Sequence, residues 1–134
     1  MDIIHLVKSI LDSEDFETIE YHPKLISDIE TFFEKNQNDA EKFVELLVAR
    51  LKILENIGPL ALQNSNFESL KQAKGLFRIK LKTSNRNFRI IYSYKDNGEI
   101  LLHCFYERGG KSRTNYKRAI QTAQKRYEEI MKEA

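Results

Sequence analysis

The sequence predicts an α+β domain: a twisted antiparallel sheet of about four strands, with an N-terminal helical hairpin on one face and a C-terminal helix. Three observations lead to this fold class. Apolar residues recur at helical spacing through the first 57 positions, strand-like alternation and apolar runs fill residues 76–106, and helical spacing returns over residues 113–132. A length of 134 residues suits one domain, which we expect to span residues 1–134.

Composition excludes several classes of protein. No stretch approaches the ~18 consecutive apolar residues of a membrane helix, and the N-terminus lacks the basic and apolar regions of a secretory signal. The lone cysteine, Cys104, cannot form an internal disulfide, and no Cys/His cluster has zinc-site spacing. We therefore expect a cytoplasmic domain without a membrane segment, a metal or a cofactor.

The first two elements are short. Residues 2–12 carry Ile and Leu at helical spacing and predict a helix, although residues 1–15 as a whole resemble an extension to a core at 16–130. Residues 16–21 predict a strand, because aromatic and β-branched residues lead into the turn-like His22-Pro23.

The helical hairpin follows directly. Pro23 suits the first turn of a helix, which should run to about Asn36. Asn38 or Asp39 can cap a second helix, which Gly58-Pro59 ends. The short connection between the helices predicts that they run antiparallel.

The second half of the chain carries the strongest strand signals. Residues 59–74 are predicted to be a connecting loop, with a short helical turn near residues 67–70. Turns at Asn85-Arg86 and Asn97-Gly98 then join three strands into two hairpins. The predicted strands are 76–82, 88–94 and 100–106, of which the last is apolar on both sides and expected to be central.

These turns fix which side chains share a face. The first turn places Lys82 opposite Arg89, and the second places Arg89 opposite Tyr106. The same register puts His103 on the helix-covered face as a core histidine, while Cys104 is expected to be a small buried hydrophobe. The face away from the helical hairpin then presents four cations and a tyrosine with no acid among them: Arg78, Lys80, Lys82, Arg89 and Tyr106.

Charge is segregated along the chain. Residues 1–73 hold 7 Lys/Arg and 14 Asp/Glu, whereas residues 74–118 hold 12 Lys/Arg and 3 Asp/Glu. A basic segment of this kind suggests contact with a polyanion. The alternatives are that acidic helices neutralise a basic sheet, or that the cations form an ordinary solvated sheet face.

An ordered set of motifs in this segment resembles the RelE/ParE superfamily of bacterial toxins, most closely its HigB-like, phage-derived branch. The motifs are Leu76-Phe77-Arg78-Ile79-Lys80-Leu81, Phe88-Arg89-Ile90-Ile91-Tyr92 and Leu101-Leu102-His103-Cys104-Phe105, followed by a basic stretch leading into a helix. The similarity covers residues 67–130 well and residues 16–57 in outline.

The resemblance implies the toxin of a type II toxin–antitoxin system. Such toxins cleave mRNA, usually on the ribosome, without a metal: the 2′-hydroxyl attacks the adjacent phosphate, and a small antitoxin, here expected to be a helix-turn-helix protein, neutralises the enzyme. Fixed cations stabilise the charge that develops on the phosphate, and Arg binds two of its oxygens at once.

The resemblance also implies roles for individual residues. Arg89 is expected to clamp the phosphate, with Arg78 beside it, and Lys80 to stabilise the transition state or transfer a proton. Tyr116 matches a C-terminal tyrosine that stacks on a base and transfers a proton, and either Arg108 or Lys111 matches a later arginine. Further RNA contacts are assigned to the remaining polar side chains of this region: Lys82, Arg86, Lys111, Arg113 and Tyr106.

Two other functions remain open. A ParE-like inhibitor of DNA gyrase would share the sheet without needing the strand cations. A non-catalytic nucleic-acid-binding or phage accessory protein would need the basic face but no positioned acid or base.

Overall fold

Four α-helices, two short 3-10 helices and five β-strands make up the part of the chain that the computed structural model describes, residues 2–34, 37–110 and 112–133. The 3-10 helices are Glu14–Phe16 and Gly58–Gln63. The helices are α1 (Ile3–Leu11), α2 (Lys24–Phe33), α3 (Ala40–Ile57) and α4 (Ser112–Glu133). The strands are β1 (Ile19–Tyr21), β2 (Phe67–Ser69), β3 (Phe77–Lys82), β4 (Asn87–Lys95) and β5 (Gly98–Glu107).

The strands form one sheet in the order β1-β5-β4-β3-β2. The α+β class is as predicted, but the sheet has five strands instead of about four. It is also mixed, because β1 pairs with β5 in parallel while the other pairs are antiparallel. The middle position belongs to β4, with β5 beside it.

Strand β2 lies where the sequence predicted a loop with a helical turn. Its three residues pair with β3, and Phe67, opposite Ile79, is fully buried. A three-residue edge strand is too short to show the period-two alternation by which strands are recognised. The prediction for this segment was therefore wrong.

One face of the sheet is covered by α1, α2 and α3. Helix α2 lies against β5 and α1, whereas α3 lies against β3 and β1, and the rings of Phe33 and Phe43 meet 5.4 Å apart near the α2–α3 connection. Asp39 stands at the start of α3 with a positive φ of 72° and makes no side-chain cap. The sheet side chains of this first core are Phe67, Ile79, Leu81, Phe88, Ile90, Tyr92, Leu101 and Cys104.

Helix α4 covers part of the opposite face. Its buried stripe, which includes Tyr116, Ala119 and Ala123, packs on Ile91 and Phe105 in a second core. The face that the sequence left open is therefore covered over β4 and β5. No helix within the described ranges combines the length and the apolar character that a membrane span requires.

The loop of the first hairpin is two residues longer than predicted. Lys82 pairs with Asn87 and Lys80 with Arg89, so residues 83–86 form a four-residue loop. A shift of two leaves each side chain on its predicted face, because strand side chains alternate with period two. The cations of β3 and β4 consequently still share one face.

The second hairpin departs further from the prediction. Lys95 pairs with Gly98, and Asp96 takes the positive φ of the turn, 56°. An irregularity between Ile91 and Tyr92 then shifts the β4–β5 register by one residue. A one-residue slip moves every later side chain to the other face, which is why the predicted faces of β5 beyond this point are inverted.

Candidate functional site

The strand cations form one group on the α4 side of the sheet. Arg78, Lys80 and Lys82 alternate along β3, and Arg89 stands opposite Lys80 on β4. This shared face is as predicted. Backbone pairing fixes the strands, and the Arg50 side chain adds a 2.9 Å hydrogen bond to the carbonyl oxygen of Lys80 from the other face.

Two carboxylates lie among these cations, contrary to the prediction of an acid-free face. Glu68 of β2 accepts hydrogen bonds from Arg78 and lies 2.7 Å from the Lys80 ammonium. Glu107 of β5 lies 3.2 Å from the Arg89 guanidinium. The hydrogen bonds from Lys80 and Arg78 hold the pKa of Glu68 below its usual range despite some burial.

Tyr116 joins the two halves of this group. The Arg78 guanidinium donates a 2.6 Å hydrogen bond to the Tyr116 hydroxyl oxygen and lies over the ring. Burial and the hydrogen-bonded Glu107 carboxylate raise the pKa of Tyr116, although Arg78 opposes the shift. Tyr116 therefore keeps its proton at neutral pH. We call this chain of side chains the basic-face network: Glu68, Arg78, Tyr116, Glu107 and Arg89.

The network retains unused hydrogen-bond donors. The Nε atoms of Arg78 and Arg89 are buried and have no partner among the described residues. A cavity of about 280 Å³ lies beside Arg78 and Tyr116, bordered by Glu68 and Leu70. Buried polar groups without partners are uncommon and call for an explanation, and an anion that reached these donors would satisfy them.

The position of Arg89 differs from that expected of an open phosphate clamp. Its residue is only 8% exposed, one of its nitrogens donates to the carbonyl oxygen of Phe88, and another pairs with Glu107. A phosphate that reaches Arg89 therefore has to displace or join the Glu107 carboxylate.

Two predicted RNA contacts lie away from the network. Tyr106 is on the opposite face, 6.1 Å from the Phe88 ring, because of the register slip in β5. Arg86 is a structural residue: it donates to the carbonyl oxygens of Phe32 and Asn38, pairs with Asp39 at 3.4 Å and covers the Phe88 ring.

The other predicted cations that the structure describes lie outside the basic-face network. Lys82 is exposed at the end of β3, and Arg113 is exposed on α4 beside a small depression that Tyr116 also borders. Arg108 is exposed 5.9 Å from the Tyr106 ring, outside the network. Lys111 lies outside the described residues.

A larger cleft opens at the free edge of β5. Strand β1 pairs only with Glu99–Leu101, so beyond that point α2 and α4 flank β5. The cleft between them measures about 730 Å³ and is lined by Asp28, Phe32, His103, Tyr106, Arg108 and Arg118, among others. We call it the edge cleft.

Asp28 anchors the wall of the edge cleft. Its carboxylate accepts the Cys104 amide at 3.0 Å and the Arg126 guanidinium at 2.6 Å, and lies 2.9 Å from the His103 ring. Burial raises the pKa of Asp28, but the hydrogen bonds from His103 and Arg126 more than offset this and lower it. Sequence reasoning missed Asp28 and Arg126, since residues 98 positions apart carry no local signal of contact.

His103 faces α4, in contrast to its predicted position beside Tyr92. Cys104, by contrast, is a buried hydrophobe as expected, and burial raises the pKa of its thiol. Among the described residues, no group of three or more His, Cys, Asp or Glu side chains is placed to hold a metal ion.

One of three comparisons with known proteins identifies a family for this chain. Curated proteins and solved structures give no match. A family model described as phage derived protein Gp49-like (DUF891) matches residues 32–128. That range is more than half of the chain and includes every residue of the basic-face network. The chain therefore belongs to the Gp49-like family of phage-derived proteins.

Proposed function

We propose that this chain is the toxin of a type II toxin–antitoxin pair and that it cleaves ribosome-bound mRNA at the basic-face network. The observation that carries the proposal is the Tyr116 hydroxyl, which lies 2.6 Å from the Arg78 guanidinium, a group whose buried Nε has no partner among the described residues. Membership of a phage-derived family and the resemblance to RelE/ParE toxins support it.

The proposed reaction is a transesterification within the RNA. The 2′-hydroxyl gives its proton to a water molecule as its oxygen forms a bond to the adjacent phosphorus. The bond from phosphorus to the 5′-oxygen breaks, and the products end in a 2′,3′-cyclic phosphate and a 5′-hydroxyl. Arg78 and Arg89 stabilise the extra negative charge on the phosphate oxygens. Tyr116 donates its proton to the departing 5′-oxygen. Arg78 already donates to the Tyr116 hydroxyl oxygen, so it stabilises the phenolate that this transfer leaves.

The carboxylates shape this site in the absence of RNA. Glu68 has a side chain that is 41% exposed, so it can swing away when a phosphate takes its place on Arg78 and Lys80. Glu107 is more buried and holds both Arg89 and Tyr116. We propose that Glu107 orients the Tyr116 hydroxyl, and that Tyr116 regains its proton from solvent after cleavage.

The test is to induce the protein and map transcript 5′ ends within minutes. We expect new 5′-hydroxyl ends inside translated codons. Arg78→Gln should abolish them, whereas Lys95→Gln, which removes a charge at the far end of β4, should not. DNA damage with intact mRNA would instead identify a gyrase inhibitor, and bound but intact mRNA a non-catalytic binding protein.

The same cells test for the expected partner. A small helix-turn-helix antitoxin should restore growth when it is co-expressed and should co-purify with the chain.

A further inference from the structure

We propose that the edge cleft is a second binding site, separate from the basic-face network, and that it takes a nucleotide through its phosphate group. This inference concerns binding, so it does not depend on whether the chain cleaves RNA. It rests on three features of the cleft: an oriented histidine, two arginines without an ion pair among the described residues, and an aromatic wall.

The hydrogen-bond pattern fixes which nitrogen of His103 carries a proton. Nδ1 lies 2.9 Å from Asp28 Oδ2 and 3.2 Å from an Arg126 nitrogen. That Arg126 nitrogen already donates to Asp28 and to the carbonyl oxygen of Leu102, which uses both of its protons. Nδ1 of His103 must therefore donate to Asp28, and Nε2 is left for a ligand.

The His103 side chain is 16% exposed and lines the cleft. An imidazole held by a carboxylate in this way keeps a fixed orientation. It presents Nε2 either as an acceptor or, when protonated, as a donor to a phosphate oxygen.

The charge of the cleft is positive. Asp28 forms an ion pair with Arg126, and Arg86 forms one with Asp39. The guanidinium groups of Arg108 and Arg118, both exposed, form no ion pair or hydrogen bond within the described ranges. Two free guanidinium groups beside an oriented imidazole favour a phosphate, because Arg forms paired hydrogen bonds to its oxygens.

The aromatic wall distinguishes a nucleotide from a bare anion. Phe32 and Tyr106 are half-buried in the cleft wall, and the Tyr106 ring already carries the Arg108 guanidinium at 5.9 Å. Aromatic rings and Arg planes are the groups on which bases stack. A volume of about 730 Å³ lies within the range of small-ligand pockets.

The test measures the binding of adenosine 5′-monophosphate to the full chain by titration calorimetry and by the ring resonances of His103. We expect saturable binding that shifts the His103 resonances, with adenosine and inorganic phosphate each at least tenfold weaker. Arg118→Gln should weaken the binding of adenosine 5′-monophosphate at least tenfold. Lys125→Gln removes the same charge from an exposed α4 position outside the cleft and should change affinity less than twofold.

His103→Gln is a second variant within the cleft. Tyr116→Phe leaves the cleft intact and should bind the nucleotide as the parent chain does. Competition by a short single-stranded RNA would assign the site to nucleotides within RNA, and its absence to free nucleotides; both support the proposal. Equal losses in Arg118→Gln and Lys125→Gln would overturn it, as would unmoved His103 resonances. Equally tight binding of a hexaglutamate peptide at His103 would overturn it in favour of an acidic protein partner.

Discussion

Individual side chains decide how this fold uses its charges. The partly buried cluster of Asp28, His103 and Arg126 links α2, β5 and α4 where β5 no longer pairs with β1. Breaking a buried ion pair on one side leaves the other charge without compensation. The cluster should therefore matter for stability as much as for the edge cleft.

Asp28→Asn tests this directly. Because Arg126 would remain buried without a carboxylate, we expect a loss of about 3–5 kcal/mol in the free energy of unfolding, measured in urea. Glu45→Gln, at an exposed pair with Lys42, should stay within about 0.5 kcal/mol.

The loss of stability in acid tests the same side chain. The folded-state pKa of Asp28 is lowered, so its contribution is complete above about pH 4 and is lost as the pH falls further. Asp28→Asn should lose less stability than the parent chain over that range. Parallel acid limbs for the two proteins would argue against this role.

The pKa of Glu99 is shifted in the opposite direction to that of Asp28. It is buried near Glu55, and burial followed by repulsion from Glu55 raises its pKa to about 7. One of its oxygens has no partner among the described residues. The raised pKa means that the folded protein favours the protonated carboxyl.

The contribution of Glu99 to stability should consequently be complete below about pH 4.5 and be lost as the pH rises to about 7, a change of at most about 3 kcal/mol. Glu99→Gln removes this loss, so at pH 8 its melting temperature should exceed that of the parent chain, whereas at pH 4 the two should agree. A variant that is no more stable at pH 8 would show that Glu99 is not held neutral by the fold.

At the scale of elements, β1 depends on a close approach to the second hairpin. A Cβ atom on Gly98 would lie 1.9 Å from the carbonyl oxygen of Thr18, and the next residue, Glu99, donates its amide to that same oxygen at 3.0 Å. Gly98 is required here for space, whereas Asp96 carries the positive φ of the turn.

Gly98→Ala should therefore separate β1 from β5. We expect a loss of several kcal/mol, on the order of that seen for buried steric conflicts, together with faster amide exchange at Glu99. Gly109→Ala is the matched control, since a Cβ there meets nothing within 4 Å. If both variants are equally stable, the contact between Gly98 and Thr18 is not a constraint.

Sequence reasoning predicted some elements of the fold and missed others. The presence of the helices and of β3–β5 was predicted because long periodic patterns identify the type of an element, whereas the placement of the helices was not. The three-residue β2, the parallel pairing of β1 and the irregularity at Ile91 depend on contacts distant in sequence. Within the site, the shared face of Arg78, Lys80 and Arg89 followed from alternation, but Glu68, Glu107 and Asp28 came from elements whose positions the sequence did not reveal.

For the whole molecule, part of the charge segregation is balanced within the fold. Glu68, from the acidic first half, neutralises Arg78 and Lys80, as an acidic half that balances a basic sheet would. Yet Lys82 and Arg113 remain exposed around the basic-face network, and Arg108 and Arg118 around the edge cleft. This distribution keeps the surface cationic on the side where we propose that RNA binds.

RNA affinity should accordingly fall steeply with salt, because bound cations release counterions from the phosphates. Arg78→Gln should reduce the slope of log K against log salt by about one, whereas Lys95→Gln should leave it unchanged. Filter binding from 50 to 300 mM KCl, roughly the range over which such effects are large, gives both slopes. A flat salt dependence would exclude a phosphate-binding face.

The most direct measurement of the central claim is the single-turnover rate at which the purified chain cleaves a ribosome-bound mRNA. Tyr116→Phe removes only the hydroxyl between Arg78 and Glu107, and Tyr127→Phe removes a hydroxyl of the same helix that instead donates to the carbonyl oxygen of Tyr94. We predict that Tyr116→Phe is slower by about 100-fold or more, while Tyr127→Phe stays within about threefold. Equal rates for the two folded variants would contradict a proton transfer from Tyr116.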